Sequence, residues 1–141
     1  MGTVFVRGTV PTANMVRLLP ELDRAGLNVK VVAAISPQLF ARQEAAYRQS
    51  VIDAADRWDA MAVTSGARRL MADWLEGPVA EEYTLCADRD DRWRTGGSIE
   101  EVMEEAGLSA HQILAGIERF VRERPERLAR IRAIADAVAA R

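Results

Sequence analysis

The sequence is poor in the side chains most often used for covalent catalysis and for metal binding. Its 141 residues contain one cysteine, Cys86, and one histidine, His111. A single cysteine excludes an internal disulfide, and one cysteine with one histidine cannot supply a zinc cluster. We therefore expect neither a disulfide framework nor a metal site in this chain.

Long apolar runs and an excess of one charge are also missing. The longest apolar run covers residues 31–35, far short of the ~18 residues that a membrane-spanning helix needs. The net charge is −2, from 19 basic and 21 acidic side chains, which gives no electrostatic reason to expect nucleic acid or membrane partners. Residues 1–7 lack the apolar core of a signal peptide. We expect an untargeted, cytoplasmic protein.

Common ligand-binding and nucleophile motifs are absent as well. The sequence has no G-x-G-x-x-G, no phosphate-binding G-x-x-x-x-G-K-[ST] and no G-x-S-x-G. Ser65 follows a predicted strand, but a catalytic role for Ser65 or Cys86 would require contact with His111. A buried Cys86 and a surface His111 are the simpler interpretation. We assign no catalytic, cofactor-binding or metal-binding residue.

The chain alternates between strand and helix patterns. Strands are predicted at residues 4–6, 29–35, 61–64 and 83–87, and helical spacing of apolar residues follows each of them. This order predicts one α/β domain over residues 1–141, a three-layer sandwich with a mostly parallel sheet of four to five strands and helices on both faces. The apolar second strand is expected to be covered on both faces. A last helix is predicted at about 125–140.

Helix start and stop signals divide the rest of the chain. Pro20 should kink the first helix or begin a second one. Ser36-Pro37 begins a helix with Leu39, Phe40 and Tyr47 on one side, and Ser65 is expected to cap a helix that ends at Gly77. Two capping boxes are predicted, at residues 98–101 and 109–112, and Gly107 ends the helix between them.

A charged loop at residues 88–97 is the stronger of two candidates for ligand binding; the turn at residues 8–14 is the weaker one, because its glycine is more simply explained by turn geometry. The charged loop follows the carboxyl end of a predicted strand and leads into a helix N-terminus, an arrangement that attracts anions in open α/β sheets. A phosphate or carboxylate would be held by Arg92, Arg94, Gly96, Gly97 and Ser98. The alternatives are a solvated surface loop and a contact with a partner domain.

Residues 36–51 resemble the C-terminal domain of transketolases. That family has, directly after its second strand, a Phe, a Gln three residues later, then Tyr-Arg and Ser-Val, which correspond here to Phe40, Gln43, Tyr47, Arg48, Ser50 and Val51. Gly96-Gly97-Ser98 and Gly107-Leu108-Ser109 are similar to two later glycine-containing motifs. The resemblance covers residues 4–120. The sequence departs from the family at Thr95, where a Phe is usual, at Arg92-Trp93-Arg94, and in the helix from Pro125.

The resemblance implies a structural role in a larger enzyme. Transketolases transfer two-carbon ketol units between sugar phosphates with thiamine diphosphate and Mg²⁺, and the cofactor lies between a pyrophosphate-binding and a pyrimidine-binding domain. A chain of 141 residues cannot also hold those domains. The resemblance therefore implies a subunit of a split enzyme or part of a longer one, with chains that carry the other domains as partners, and a homodimer is compatible with it.

Two other functions remain open on the sequence. One is a free-standing module that binds a small anion or has a regulatory role, with residues 92–98 as its site. The other is a small independent enzyme that uses Ser65 or Cys86 with His111.

Overall fold

A four-stranded parallel sheet forms the centre of the structure, a computed structural model that describes residues 1–140. The strands are β1 (Gly2–Arg7), β2 (Val29–Ala33), β3 (Ala60–Thr64) and β4 (Leu85–Cys86). Their order across the sheet is β2-β1-β3-β4, and every neighbouring pair is parallel. The predicted α/β class and the predicted parallel sheet are confirmed.

Eight α-helices and one 3₁₀ helix are found in the described residues 1–140. The α-helices are α1 (Thr9–Arg24), α2 (Pro37–Ala41), α3 (Ala45–Val51), α4 (Ala54–Trp58), α5 (Pro78–Glu82), α6 (Ile99–Ala106), α7 (Ala110–Arg122) and α8 (Arg124–Ala139), and the 3₁₀ helix is Arg68–Met71. The connections between parallel strands all contain helix, as such crossovers require.

Helices cover both faces of the sheet and bury a separate core on each. Strand alternation sends Val4 to one face and Phe5 to the other. The Val4 face packs against α1 and α7, with a core that includes Met15, Leu18, Leu22, Ile113, Ile117 and Phe120. The Phe5 face packs against the chain between β2 and α5, with a core that includes Ile52, Met71, Trp74 and Leu75.

The position of β2 corrects one expectation. Its apolar sequence predicted a strand covered on both faces, but β2 is at the edge of the sheet and none of its residues is fully buried. β1 and β3 occupy the centre instead, and almost all of their residues are buried. An edge strand has one neighbour and an open side, so its side chains keep part of their exposure.

Two helix predictions were wrong, and at Pro20 the alternative of a second helix is excluded. The helix predicted from Ser36 is two short helices, α2 and α3, because the chain leaves the helix at residues 42–44. The segment after Ser65 forms only the 3₁₀ helix, and Gly77-Pro78 begins α5 rather than ending a helix. α1 continues through Pro20 as a single helix, with Pro20 on its exposed side. β4 has only two residues, fewer than predicted.

The predicted caps of the later helices are confirmed. The Ser98 hydroxyl accepts from the Glu101 N–H at 3.2 Å, and the Glu101 carboxylate accepts from the Ser98 N–H at 2.8 Å. Gly107 ends α6 in the left-handed conformation, at φ 74°. The Ser109 N–H donates to the Gln112 side chain at 3.2 Å at the start of α7.

Candidate functional site

The switch point of the sheet is closed by the chain itself. In the order β2-β1-β3-β4, the connections leave β1 and β3 in opposite directions, and ligands of open α/β sheets bind beyond such strand ends. Here the Ser65 hydroxyl fills the space where a side chain on Gly8 would begin. The Ser65 N–H also donates to the Arg7 carbonyl at 3.4 Å. The two loops therefore contact each other directly at Gly8 and Ser65.

Arg7 also binds the chain at this edge of the sheet. Its Nη1 donates to the Leu70 carbonyl at 2.9 Å, which ties the end of β1 to the 3₁₀ helix. The guanidinium thereby satisfies a carbonyl of a helix whose bonding pattern leaves several unpaired. Arg7 stabilises the turn after β3 in this arrangement.

The structure does not bring Ser65, Cys86 and His111 together. His111 is on the first turn of α7 with a side chain that is 72% exposed, and its ring contacts Ser109 Oγ at 3.1 Å and Glu104 Oε1 at 3.5 Å. Neither Ser65 nor Cys86 is among its hydrogen-bond partners. Because a nucleophile needs its base within hydrogen-bond reach, the pairs considered from the sequence are not assembled.

The Ser109, His111 and Glu104 cluster was not foreseen from the sequence. It has the composition of a catalytic triad, but the Ser109 hydroxyl also lies 2.8 Å from Gln112 Oε1, an acceptor, and donates to it. The ring nitrogens of His111 lie next to the half-buried Ser109 and the exposed Glu104, at the α6–α7 junction. The contacts of Ser109 cap the start of α7.

Cys86 is a fully buried thiol between two charged groups. Burial raises the pKa of the Cys86 thiol, and a hydrogen bond with Asp88 raises it further, while Arg68 partly opposes both effects. Burial also acts to raise the pKa of Asp88, but the Cys86 thiol and the Arg68 N–H, at 2.9 Å, donate to its carboxylate and leave that pKa below its usual value. Cys86 is held as a thiol, and the reactive form of cysteine is the thiolate.

Arg94 holds the charged loop in place through hydrogen bonds to other residues of the chain. Its Nε and Nη2 donate to the Ala87 carbonyl at 3.2 and 2.8 Å, and its Nη1 donates to the Glu105 carbonyl at 3.2 Å. Nη1 and Nη2 also donate to the two oxygens of Asp90, at 3.1 and 2.5 Å. A guanidinium has five N–H groups, and these contacts use all of them. In this arrangement Arg94 has no donor left for a ligand.

The N-terminus of α6 is also occupied by a side chain of the protein itself. The Glu101 carboxylate receives the Ser98 N–H and lies where a side chain on Gly97 would extend, at 2.8 Å from that position. The hydrogen bond from the Ser98 N–H holds the pKa of Glu101 below its usual value. An external anion would have to displace this carboxylate. Arg92 and Gly96, by contrast, remain open to solvent, and Trp93 next to Arg92 is 98% exposed.

A second surface is built by the helices that carry the family resemblance. α2 and α3 contain no buried residue, and Leu39 and Tyr47 are 60% and 54% exposed. Phe40 anchors the pair, since its ring packs on Trp74 with ring centroids 5.5 Å apart. We call Leu39, Phe40, Gln43 and Tyr47, with the cavity of about 350 Å³ that they line, the α2–α3 face.

Two buried nitrogens in this region have no hydrogen-bond partner among the described residues. They are Nε of Arg48, on α3, and Nε1 of Trp74, whose side chain lines the cavity of the α2–α3 face. Buried donors are normally paired, and an unpaired one costs about 1–3 kcal/mol. The sequence gives no sign of this, because pairing depends on the packing around each nitrogen.

An apolar groove lies between α4 and α8. It is lined mainly by Ala55, Trp58, Leu128, Ile131, Ala135 and Val138. Asp59 is at its inner end, where it binds Arg127 and Arg124. The groove offers no catalytic chemistry, because its lining is almost entirely hydrocarbon.

The described residues also do not fit a thiamine diphosphate and magnesium site. Within residues 1–140, no group of three or more His, Cys, Asp or Glu side chains could hold a metal ion. At the switch point, the usual place for a diphosphate in such a sheet, Ser65 Oγ occupies the position of a side chain on Gly8. No helix in the described part of the chain is long and apolar enough to cross a membrane.

Comparison with known proteins leaves the family open. No family model matches the chain, and no curated protein matches it. The resemblance of residues 36–51 to a family therefore stays a prediction.

Proposed function

We propose that the chain is the C-terminal domain or a subunit of a thiamine-diphosphate-dependent transketolase, with a role in assembly. The observation that supports this most is the α2–α3 face. The segment that resembles the family forms two helices that bury none of their residues and expose Leu39 and Tyr47. Helices of five and seven residues are too short to be stable alone in water, and a partner surface would complete their packing.

The chemistry in this proposal belongs to the partner polypeptides. Thiamine diphosphate and Mg²⁺, held by the pyrophosphate-binding and pyrimidine-binding domains, would supply ketol transfer between sugar phosphates. The residues of this chain would contribute a rigid sheet and the α2–α3 face. The closed switch point and the protonated Cys86 agree with a domain that does no chemistry of its own, and a cytoplasmic location is part of the proposal.

Reconstitution tests the proposal directly. The chain is mixed with purified transketolase polypeptides that carry the two cofactor-binding domains, and ketol transfer between sugar phosphates is measured. We expect a stable complex and a gain in activity over the cofactor-binding domains alone. Absence of both binding and gain would contradict the proposal.

Variants of the α2–α3 face locate the contact. Leu39→Asp and Tyr47→Asp place a charge on this face and should weaken the complex, since an unpaired charge is costly to desolvate. Val138→Asp is the matched control, because Val138 is also exposed, on α8, and should bind as the wild type does. Equal binding by all three variants would exclude the α2–α3 face as the contact.

The alternative is a free-standing module that binds a small anion at residues 92–98. Open Arg92 and Gly96 favour it, whereas the internal contacts of Arg94 and Ser98 weigh against it. Thermal unfolding with and without sugar phosphates distinguishes the two functions. A ligand-dependent rise in melting temperature that Arg92→Ala abolishes would favour the anion-binding module.

A further inference from the structure

The outer edge of β2 is an open hydrogen-bonding surface. The register pairs Val4 with Val31, and the Ala34 N–H donates to the Val6 carbonyl at 2.8 Å. In a parallel ladder this directs the N–H and C=O groups of the even-numbered residues of β2 towards β1. The corresponding groups of Val29, Val31 and Ala33 therefore face away from the sheet. No strand in the described residues pairs with them.

The usual protections of an edge strand are weak here. Natural edges are blocked by proline, by a bulge or by a charge that repels a second strand. β2 contains no proline and no glycine. Its one charged residue, Lys30, points to the opposite face and binds Asp56 at 2.5 Å, so its charge is compensated.

Apolar side chains flank this edge. Val16 and Leu19 are one turn apart on α1, on its side away from the core, and they are 60% and 45% exposed. Open grooves of about 470 and 790 Å³ run between this side of α1 and β2. We call Val16, Leu19, Val29, Val31 and Ala33 the β2 edge surface.

We propose that the β2 edge surface binds the same surface of a second copy of this chain, so that the two sheets join into one. The two β2 strands would pair antiparallel about a twofold axis at Val31. Val31 would face Val31 of the second copy, and Val29 would face Ala33 of the second copy. The outward N–H and C=O groups of Val29 and Val31 then meet complementary groups of the second copy. The Ala33 carbonyl already accepts from the Ile35 N–H at 3.1 Å and would accept a second hydrogen bond on its other lone pair.

The charges at this surface favour an identical partner. Arg17 borders the groove at the carboxyl end of β2, and Asp23 borders the groove at its amino end. Neither side chain forms an ion pair within the described residues. With the two β2 strands antiparallel about a twofold axis, Arg17 of each copy lies on the same side as Asp23 of the other copy. Two pairs of opposite charges therefore face each other across the interface. The two Lys30 residues are not directly opposed, because each faces a Val32.

Sedimentation velocity over a wide range of concentration tests the proposal. We expect a reversible dimer. Val31→Pro removes the outward N–H while leaving the β1–β2 ladder intact, since that ladder does not use it, and proline is tolerated at such edge positions. It should raise the dimer dissociation constant by about tenfold or more, from the loss of one hydrogen bond in each copy. Val31→Thr, which keeps the N–H and the branched shape, is the control.

A charge exchange between two positions on α1 is a second test of the dimer, and it leaves β2 unchanged. Arg17→Asp should weaken the dimer by like-charge repulsion, and adding Asp23→Arg should restore it. Far-ultraviolet circular dichroism confirms that each variant is folded. A wild-type chain that is monomeric at every concentration would overturn the proposal. A dimer whose dissociation constant is unchanged by both Val31→Pro and the charge exchange would overturn it as well. Binding of an unrelated strand without self-association would also overturn it.

Discussion

Arg127 is fully buried and binds Asp59 at the end of the sheet where the parallel strands begin. Its Nε and Nη2 donate to Asp59 Oδ1 at 3.0 and 2.8 Å, and its Nη1 donates to the Phe120 carbonyl. The guanidinium also lies over the Phe120 ring, 3.7 Å from its centre. One side chain thereby connects α8 to the beginning of β3 and to the end of α7.

Replacing Arg127 by methionine should strongly destabilise the fold. The change keeps much of the side-chain volume but leaves the buried Asp59 carboxylate with Arg124 as its one cationic partner among the described residues. Removing one partner of a buried ion pair costs about 3–5 kcal/mol, and we expect the lower end because Arg124 remains. Urea unfolding followed by circular dichroism measures the loss. Arg130→Met removes an exposed ion pair with Glu82 and should have little effect, so equal losses in the two variants would contradict this role.

Asp56 should make stability depend on acidity. Burial acts to raise its pKa, but hydrogen bonds from Lys30, the Asp53 N–H and Thr3 outweigh burial and leave the pKa below its ordinary value of 3.8. A lowered pKa in the folded state stabilises the protein above the unfolded-state value, and this stability is lost as the pH falls through the folded-state value.

The pH profile of an Asp56→Asn variant tests this sign. The variant should be less stable than the wild type at neutral pH, by about 1–2 kcal/mol for hydrogen bonds to a charged group. The difference should shrink as the pH falls below 3.8. A difference that stays constant from neutral to acid pH would show that the ionised carboxylate contributes nothing. Asp53→Asn removes a carboxylate at the same helix start and serves for comparison.

Gly8 should tolerate no side chain. Its backbone is at φ 102° and ψ 150°, a region that essentially only glycine adopts, at a cost of about 1–3 kcal/mol for other residues. Gly8→Ala should therefore lower the free energy of unfolding by at least that amount, since the new methyl group also meets Ser65 Oγ. Adding Ser65→Gly should recover only the steric part. Gly96→Ala, where nothing lies within 4 Å, should be neutral.

Cys86 should be unreactive in the folded protein. Burial raises the pKa of its thiol, so the thiolate that attacks disulfide reagents is scarce and inaccessible. Labelling with an aromatic disulfide reagent should be slow in native buffer, even at mildly alkaline pH, and fast in denaturant. Rapid labelling of the folded chain would reverse this conclusion and reopen the hypothesis of a cysteine enzyme.

Arg94 should act on stability rather than on ligand affinity. Arg94→Ala removes the contacts with Ala87, Asp90 and Glu105 and should lower the melting temperature by several degrees. Arg92→Ala removes an exposed side chain without a hydrogen-bond partner among the described residues and should leave the melting temperature unchanged. If instead Arg94→Ala is as stable as the wild type but loses binding to sugar phosphates, the loop is a ligand site.

The sequence predicted those features that depend on neighbours along the chain. The capping box of Ser98 and Glu101, the left-handed Gly107 and the start of α2 at Ser36 are all local, because each is satisfied within a few residues. The alternation of strand and helix also predicted a parallel sheet, since parallel strands require crossover connections. The resemblance of residues 36–51 to transketolases also depends on a fixed local spacing, and it stays a prediction.

Only the tertiary structure determines which strand lies at the edge of the sheet and which polar groups already have hydrogen-bond partners within the chain. Val31 and Val63 are equally apolar in the sequence, but only the strand order leaves β2 with an open side. From the sequence Arg94 is interpreted as a free cation, but in the fold it donates hydrogen bonds to the carbonyls of Ala87 and Glu105. Arg127 and Asp59 are 68 residues apart along the chain, and no local pattern encodes their contact. These outcomes depend on long-range packing, in which partners are chosen by the fold as a whole.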